Sequence, residues 1–89
     1  MTTPSEAVVT SFAKSATTTV SPLSSTSPKG SKGFWVIPIS GTAYIGALDC
    51  TASTGAPIPS TGVCFEHADP SKFGVITSSG TVDLRVVLF

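Results

Sequence analysis

Turn-forming residues interrupt the second half of this chain so often that a long helix does not fit between them. From residue 34 onward, the segments with an apolar pattern are short, and glycine, proline or a Ser-Gly pair separates them. Proline lacks a backbone donor and glycine favours turns, so both residues end regular structure. Short β-rich segments between turn signals are typical of sandwiches and barrels. The sequence therefore predicts an all-β fold, a small antiparallel β-sandwich or barrel.

A change in composition near residue 33 divides the chain into two parts. Residues 1–33 are rich in Ser, Thr, Pro and Lys and contain a single aromatic residue, Phe12. Residues 34–89 hold the other aromatic residues and most of the branched aliphatic ones. We expect residues 1–33 to form an extended N-terminal arm and loop, and residues 34–89 to form the sandwich or barrel body.

One segment of the arm fits two patterns. In SEAVVTSFAKSA, Val8, Phe12 and Ala16 lie at roughly helical spacing, whereas Val8, Thr10 and Phe12 alternate with a period of two. The β-branched residues that follow favour extended structure, so a strand is the better interpretation. The next run, SPLSSTSPKGSKG, contains prolines and glycines that break both patterns and predict a surface loop.

The last segment of the chain alternates clearly between two faces. One face is entirely aliphatic and consists of Val82, Leu84, Val86 and Leu88. The other face starts with Asp83 and Arg85 but ends with the apolar Val87 and Phe89. Alternate residues of a strand point to opposite faces. Because Val87 and Phe89 are unexpected on a solvated face, we expect them to contact a neighbouring subunit.

Turn signals also predict two hairpins. One joins TAYIGALDC to VCFEHA through a proline-stiffened loop centred on Pro57, and the other joins KFGVIT to TVDLRVVLF through SSG. In the first hairpin, Cys50 and Cys64 lie at equal distances from the centre and would face each other. A disulfide there closes a loop of about 15 residues, worth ~3 kcal/mol in the chain-entropy model. Two buried free thiols and a bridge between subunits are the alternatives.

Cys64, His67 and Asp69 lie close together in the sequence and include residue types found in reactive sites. On a strand, Cys64 and His67 point to opposite faces, which prevents the hydrogen bond that a nucleophile needs from its base. A structural zinc site needs four ligands in paired spacings, and this chain has one histidine and no C-x-x-C motif. We therefore expect no enzymatic activity, no metal and no cofactor.

The low charge of the chain limits its partners. Charged residues make up 11% of the sequence and the net charge is zero, against roughly 25% charged residues in ordinary soluble domains. A short chain has a marginal core, and a neutral apolar surface promotes association. Nucleic acid normally requires a basic face, and a membrane span requires ~18–20 apolar residues in a run. We therefore expect protein partners and a homo-oligomer, with no membrane and no nucleic acid bound.

Six apolar residues are the predicted contacts with those partners. Three come from the arm and three from the body: Val8, Phe12, Val20, Trp35, Val87 and Phe89. Trp35 lies in FWVIPI, where consecutive apolar residues indicate that both faces of the strand are covered, by the domain or by a partner. Trp35 and Tyr44 could instead form an exposed platform for stacking sugars.

Two motifs in the body resemble a family of small virion proteins of tailed bacteriophages. The first motif comprises Tyr44-Ile45-Gly46, Cys50-Thr51, Gly55, Pro57 and Ile58. The second comprises Asp69-Pro70-Ser71, Val75-Ile76 and the run from Ser78 to Val86. The resemblance covers about residues 34–88. The chain departs from the family pattern at Cys50, where a small apolar residue is usual, and at Cys64.

The resemblance implies a role in the virion and no catalytic residues. Proteins of this family are small β-sandwiches or barrels that serve as capsid decoration (cement), minor capsid or neck-associated components. The implied partner is a major capsid or connector protein, and assembly takes place in the cytoplasm of the bacterial host. The alternative is a structural or glycan-binding module of the neck or tail fibre. Shell, neck and tail locations stay open, as does the oligomeric state.

Overall fold

The computed structural model describes residues 10–25 and 32–89, and these residues form two antiparallel four-stranded sheets. The strands are β1 Thr10–Ala16, β2 Ser21–Pro22, β3 Gly33–Pro38, β4 Tyr44–Gly46, β5 Ala56–Pro57, β6 Val63–Glu66, β7 Gly74–Ile76 and β8 Val82–Leu88. A 3-10 helix, Pro70–Lys72, lies between β6 and β7. The prediction of an all-β fold is confirmed, in the form of a sandwich.

Most connections carry the chain from one sheet to the other. The first sheet has the order β1-β8-β3-β6 and the second has the order β2-β7-β4-β5. Strand β8 lies inside the first sheet, where Leu88 is paired with Thr10 of β1 on one side and with Phe34 of β3 on the other. The C-terminal strand therefore holds β1 and β3 together.

The burial pattern of β8 follows its predicted alternation. Its aliphatic face is buried: Val82, Leu84, Val86 and Leu88 are at most 8% exposed. Asp83 and Arg85 are exposed and Val87 is half-buried. The alternation of apolar and polar residues thus predicted the buried and exposed faces of β8 correctly. This holds because the strand is paired on both sides and has the core on only one face.

Three phenylalanines form an aromatic cluster in the core. Phe34 is fully buried, and its ring centroid lies 5.1 Å from that of Phe65 and 5.2 Å from that of Phe73. The rings of Phe65 and Phe73 are 5.0 Å apart. These separations lie in the range at which aromatic pairs gain ~0.5–1.5 kcal/mol beyond area burial. The cluster connects β3 and β6 of the first sheet to the segment that leads into β7.

The described part of residues 1–33 supplies an outermost strand to each sheet. Thr10–Ala16 forms β1, so the preference for a strand over a helix is correct there. Ala16 is fully buried, Leu23 is 1% exposed, and the Leu23 amide donates to the Phe73 carbonyl at 2.8 Å. Val8 lies outside the described residues. The segment predicted as an arm therefore contributes to the core of the sandwich.

The predicted hairpin that contains the cysteines is wrong. Strand β4 pairs with β5 and β7, whereas β6 pairs with β3 in the other sheet. The reason is a tight turn inside the loop, where the Thr54 and Gly55 amides both donate to the Thr51 carbonyl, at 3.1 and 2.8 Å. This turn brings Ala56 and Pro57 back onto β4, so the partner of β4 comes from the segment predicted as a loop.

The predicted hairpin at SSG is also wrong. Strand β7 lies in the second sheet and β8 in the first, so the turn crosses between the sheets. The Thr77 hydroxyl donates to the Gly80 carbonyl at 2.7 Å, and Gly80 has a φ of +68°. A turn signal identifies a reversal of the chain, but burial across the whole domain decides which sheet receives the next strand.

Candidate protein-binding surface

The outward side of the first sheet carries the most exposed apolar residues of its strands. We call this surface the outer face. It is formed by Ser11, Ala13 and Ser15 of β1, Asp83, Arg85 and Val87 of β8, Trp35, Ile37 and the following Ile39 of β3, and Cys64 and Glu66 of β6. Trp35 is 42% exposed and Ile39 is 54% exposed. Large apolar groups at this exposure on one sheet face are typical of a binding surface.

The outer face arises because the segment FWVIPI is apolar at every position. Phe34, Val36 and Pro38 point into the core, so Trp35 and Ile37 must point outward. Both faces of β3 were expected to be covered, by the domain or by a partner. The domain covers only the inner face of the strand. The exposure of Ile37 and Ile39 on this face was not predicted, although their alternation with Val36 and Pro38 was a usable signal.

Trp35 and Ile37 rest on a glycine of the neighbouring segment. Gly62 has a φ of +86°, and a Cβ at that position would stand against the indole nitrogen of Trp35 and 2.7 Å from Cγ1 of Ile37. Because Gly62 has no side chain, the side chains of Trp35 and Ile37 can lie along the sheet. Gly62 thus supports the apolar part of the outer face.

The two charged groups of β8 lie side by side on the outer face. Asp83 accepts a hydrogen bond from the Ser15 hydroxyl at 3.1 Å, and Arg85 donates from a terminal guanidinium nitrogen to the Leu84 carbonyl at 3.3 Å. Both partners are neutral groups of the same sheet. The surface therefore presents the cation Arg85 and the anion Asp83 beside its apolar residues, with a second acidic residue, Glu66, on β6.

The predicted contact residues fall into two groups. Trp35 and Val87 are cross-strand neighbours on the outer face. Phe12 instead lies on the inner side of β1, opposite Val86, and packs against the core. Val20 is half-buried, and its Cγ2 lies 2.9 Å from where a Cβ on Gly74 would stand.

Phe89 is half-buried beside β3. One atom of its ring lies 2.9 Å from the position that a Cβ on Gly33 would take, and its amide donates to the Gly33 carbonyl at 3.1 Å. Contacts within the chain thus account for much of the burial of Phe89, as they do for Phe12 and Val20. The contacts of Val8 lie outside the described residues.

A groove lies at the side of the sandwich where β1 and β2 are outermost. It has a volume of about 440 Å³ and is lined by Phe12, Ala13, Lys14, Pro22, Leu23, Ser24, Ser25 and Leu88. Lys14 is opposite Leu84, on the inner side of its strand. An inward-pointing charge on an outermost strand disfavours edge-to-edge pairing with other sheets, so this side of the sandwich is less suited to strand addition.

The two cysteines are free, one in the loop after β4 and the other in strand β6. Cys50 is buried after β4, with its Sγ 3.8 Å from the Gly74 carbonyl oxygen, whereas Cys64 is exposed on the outer face opposite Trp35. The possible disulfide depended on a hairpin that does not form. Of the states considered, free thiols describe this structure, with one of the two buried.

The residues around His67 have structural roles or are exposed. His67 is an exposed turn residue with a φ of +56°. Asp69 caps the 3-10 helix, since its Oδ1 accepts from the Ser71 amide at 2.9 Å and from the Ser71 hydroxyl at 2.8 Å. Within residues 10–25 and 32–89, no group of three or more His, Cys, Asp or Glu is arranged to hold a metal ion.

Trp35 and Tyr44 do not form a common platform. Trp35 points outward from the first sheet, and Tyr44 alternates with the buried Ala43 and Ile45 on the second sheet. The two rings therefore lie on opposite outer sides of the sandwich. A sugar cannot stack on both at once.

The fold defines a class of protein, the two-sheet antiparallel β-sandwich with large exposed apolar residues on one sheet face. No protein-family model matches the chain, and no curated protein or solved structure is detectably similar to it. In the part of the chain that the structure describes, no helix has the length and apolar character required to cross a membrane.

Proposed function

We propose that this chain is a structural protein of a bacteriophage virion, a capsid decoration or minor capsid component that binds other protein subunits through its outer face. The observation that carries the proposal is the uncovered apolar part of that face. Trp35 and Ile39 are 42% and 54% exposed on a chain with only 11% charged residues. Binding to protein is the ordinary reason for such a surface.

The mechanism of binding is the burial of apolar area. Each Å² of apolar surface removed from water contributes about 25 cal/mol before the costs of association. A small sheet face gives a weak contact by itself. On a symmetric lattice, a protein held at two or more points gains affinity because the second contact forms within the same assembly. Weak contacts of this kind suit a protein that is repeated over a shell.

The resemblance of the body to small phage virion proteins supplies the identity of the lattice. The motifs that carry it are at Tyr44–Gly46 and Ser78–Val86, and they form turns and core strands of the sandwich. The partner is then a major capsid or connector protein, with assembly in the host cytoplasm. Free thiols at Cys50 and Cys64 are compatible with that reducing compartment.

Purified particles provide the test. Quantitative mass spectrometry of virions from cells that produce this chain should find it at a fixed copy number per particle. Hundreds of copies are expected for shell decoration, and a dozen or fewer for the neck or tail. Absence of the chain from washed particles contradicts the proposal.

Paired variants test whether the outer face makes the contact. Ile39→Asp places a charge on the outer face, and Leu48→Asp places one at a residue of similar exposure, 48%, in the loop after β4. Ile39→Asp should abolish incorporation into particles, and Leu48→Asp should leave it unchanged. Equal incorporation of both variants, with both folded by circular dichroism, contradicts a role for the outer face.

A further inference from the structure

We infer that the outer face binds a second copy of the same chain, related to the first by a two-fold axis that crosses β8 at the level of Leu84. The inference names a partner for the surface in the proposed function, and it rests on the claim that this surface is buried against protein. It is carried by the charges of β8 and by their register with β3.

Asp83 and Arg85 make the part of the outer face around Leu84 complementary to itself. They are exposed, carry opposite charges, and lie one residue on either side of Leu84 on a strand inside the sheet. A two-fold interface places residue i of one copy on residue j of the other, and the reverse. An axis at Leu84, perpendicular to the strands and in the plane of the interface, therefore sets Asp83 of each copy against Arg85 of the other.

The same axis brings apolar residues together on β3. Ile37 is the register partner of Arg85, and the Ile39 amide donates to the Asp83 carbonyl at 2.8 Å. Ile37 of one copy therefore faces Ile39 of the other beside each ion pair. This contact excludes water next to the charges, which strengthens a pair that is weak in bulk solvent.

The dimensions fit a sheet packed on a sheet. Stacked sheets lie about 10 Å apart, a separation that a long guanidinium side chain and a short carboxylate can bridge together. The axis at Leu84 superposes about five residues of each of β1, β8 and β3, and at about 4.8 Å spacing and about 3.3 Å per residue these cover roughly 250 Å² of flat area. This is small compared with the ~800 Å² per partner of a standard interface. The dimer is therefore weak in solution, and it is reinforced when the copies are held on a lattice.

Charge reversal gives a direct test. Asp83→Arg and Arg85→Asp each replace two attractive pairs of the dimer by two repulsive ones. Sedimentation equilibrium over a range of protein concentrations should give a dimer for the wild type and at least tenfold weaker association for each single variant. The double variant D83R/R85D restores opposite charges at both pairs, so its dissociation constant should return to within about threefold of the wild-type value.

Mixing the two single variants makes the test specific for a two-fold interface. A copy with Arg at both positions then meets a copy with Asp at both, so both pairs are attractive. The mixture should form a heterodimer at concentrations where each variant alone is monomeric. Lys72→Asp, at an exposed residue of the 3-10 helix, is the control that changes net charge off the outer face. Its dimerisation should equal that of the wild type.

The outcomes separate this inference from the proposed function. A wild-type protein that stays monomeric up to millimolar concentration overturns the inference, as does a mixture of the single variants that fails to associate. Equal weakening by Lys72→Asp overturns it as well. If Ile39→Asp is not incorporated into particles and the wild type is monomeric, the proposed function stands. The partner of the outer face is then not a second copy of this chain. A charge-dependent dimer that is absent from particles supports the inference and removes the proposed function.

Discussion

Trp35 lies directly on Gly62, and its indole nitrogen is so close that a Cβ on that glycine would clash with it. The φ of Gly62 is +86°, a conformation that costs L-residues about 1–2 kcal/mol. Gly62→Ala therefore combines backbone strain with displacement of the indole. We expect it to lower the free energy of unfolding by ~2–4 kcal/mol, as measured by urea denaturation.

Gly80→Ala is the matched control for that substitution. Gly80 also has a positive φ, +68°, but no atom lies within 4 Å of a Cβ built there. Only the cost of the backbone conformation applies, so Gly80→Ala should lower the free energy of unfolding by about 1–2 kcal/mol. An equal loss of stability in Gly80→Ala and Gly62→Ala would show that Trp35 and Ile37 move aside without cost.

The second prediction concerns the aromatic cluster of Phe34, Phe65 and Phe73. Phe34 is fully buried, and the rings of Phe65 and Phe73 lie within 5.2 Å of it. Phe34→Ala should reduce the free energy of unfolding by ~3–5 kcal/mol, because it leaves a cavity that the neighbouring rings cannot close. Since small domains have only ~5–15 kcal/mol of stability, this variant should lie near the limit of folding at 37 °C.

Two comparisons keep the second prediction testable if Phe34→Ala does not fold. Phe34→Leu preserves most of the side chain and should lower the free energy of unfolding clearly less than Phe34→Ala does. Phe12→Ala removes a half-buried ring at the side groove and should also cost less. A Phe12→Leu variant less stable than Phe34→Leu would argue against the three-ring cluster as the centre of the core.

The sequence was sufficient for those features that depend on neighbours along the chain. The alternation in β8 predicted which of its residues are buried, and the extended character of Thr10–Ala16 was also predictable. The exposure of Trp35 was implied by alternation in FWVIPI, once one side of that strand faces the core. In these cases the period of the pattern and the geometry of a strand are enough.

Strand partners were not predictable, because they depend on residues far apart in the sequence. The pairing of Trp35 with Cys64 and with Val87 creates the outer face, yet the three residues come from three separate segments. Local turn signals favoured the wrong partners at both predicted hairpins. The turn at Thr51 and Thr54, which brings β5 onto β4, lies inside a run that composition alone assigns to a loop.

The different burial of the two cysteines predicts a large difference in thiol reactivity. Cys64 is exposed on β6, whereas Cys50 is 6% exposed and lies against the Gly74 carbonyl. At low micromolar protein concentration, Ellman's reagent should modify one thiol rapidly, and the second only at the rate of unfolding. Cys64→Ser should remove the rapid phase and Cys50→Ser should retain it. Two rapid phases in the folded protein contradict the burial of Cys50.

Truncation tests how far the sandwich depends on the N-terminal third of the chain. Removal of residues 1–9 leaves every described strand in place, so a β-type circular dichroism spectrum and cooperative unfolding are expected. Removal of residues 1–30 also deletes β1, β2 and the buried Ala16 and Leu23. Loss of a buried leucine side chain alone costs ~2–5 kcal/mol, and β8 loses its hydrogen-bonded neighbour on one side. Residues 31–89 should therefore not fold alone, and a cooperative melting transition in that fragment would show that residues 1–30 are a dispensable arm.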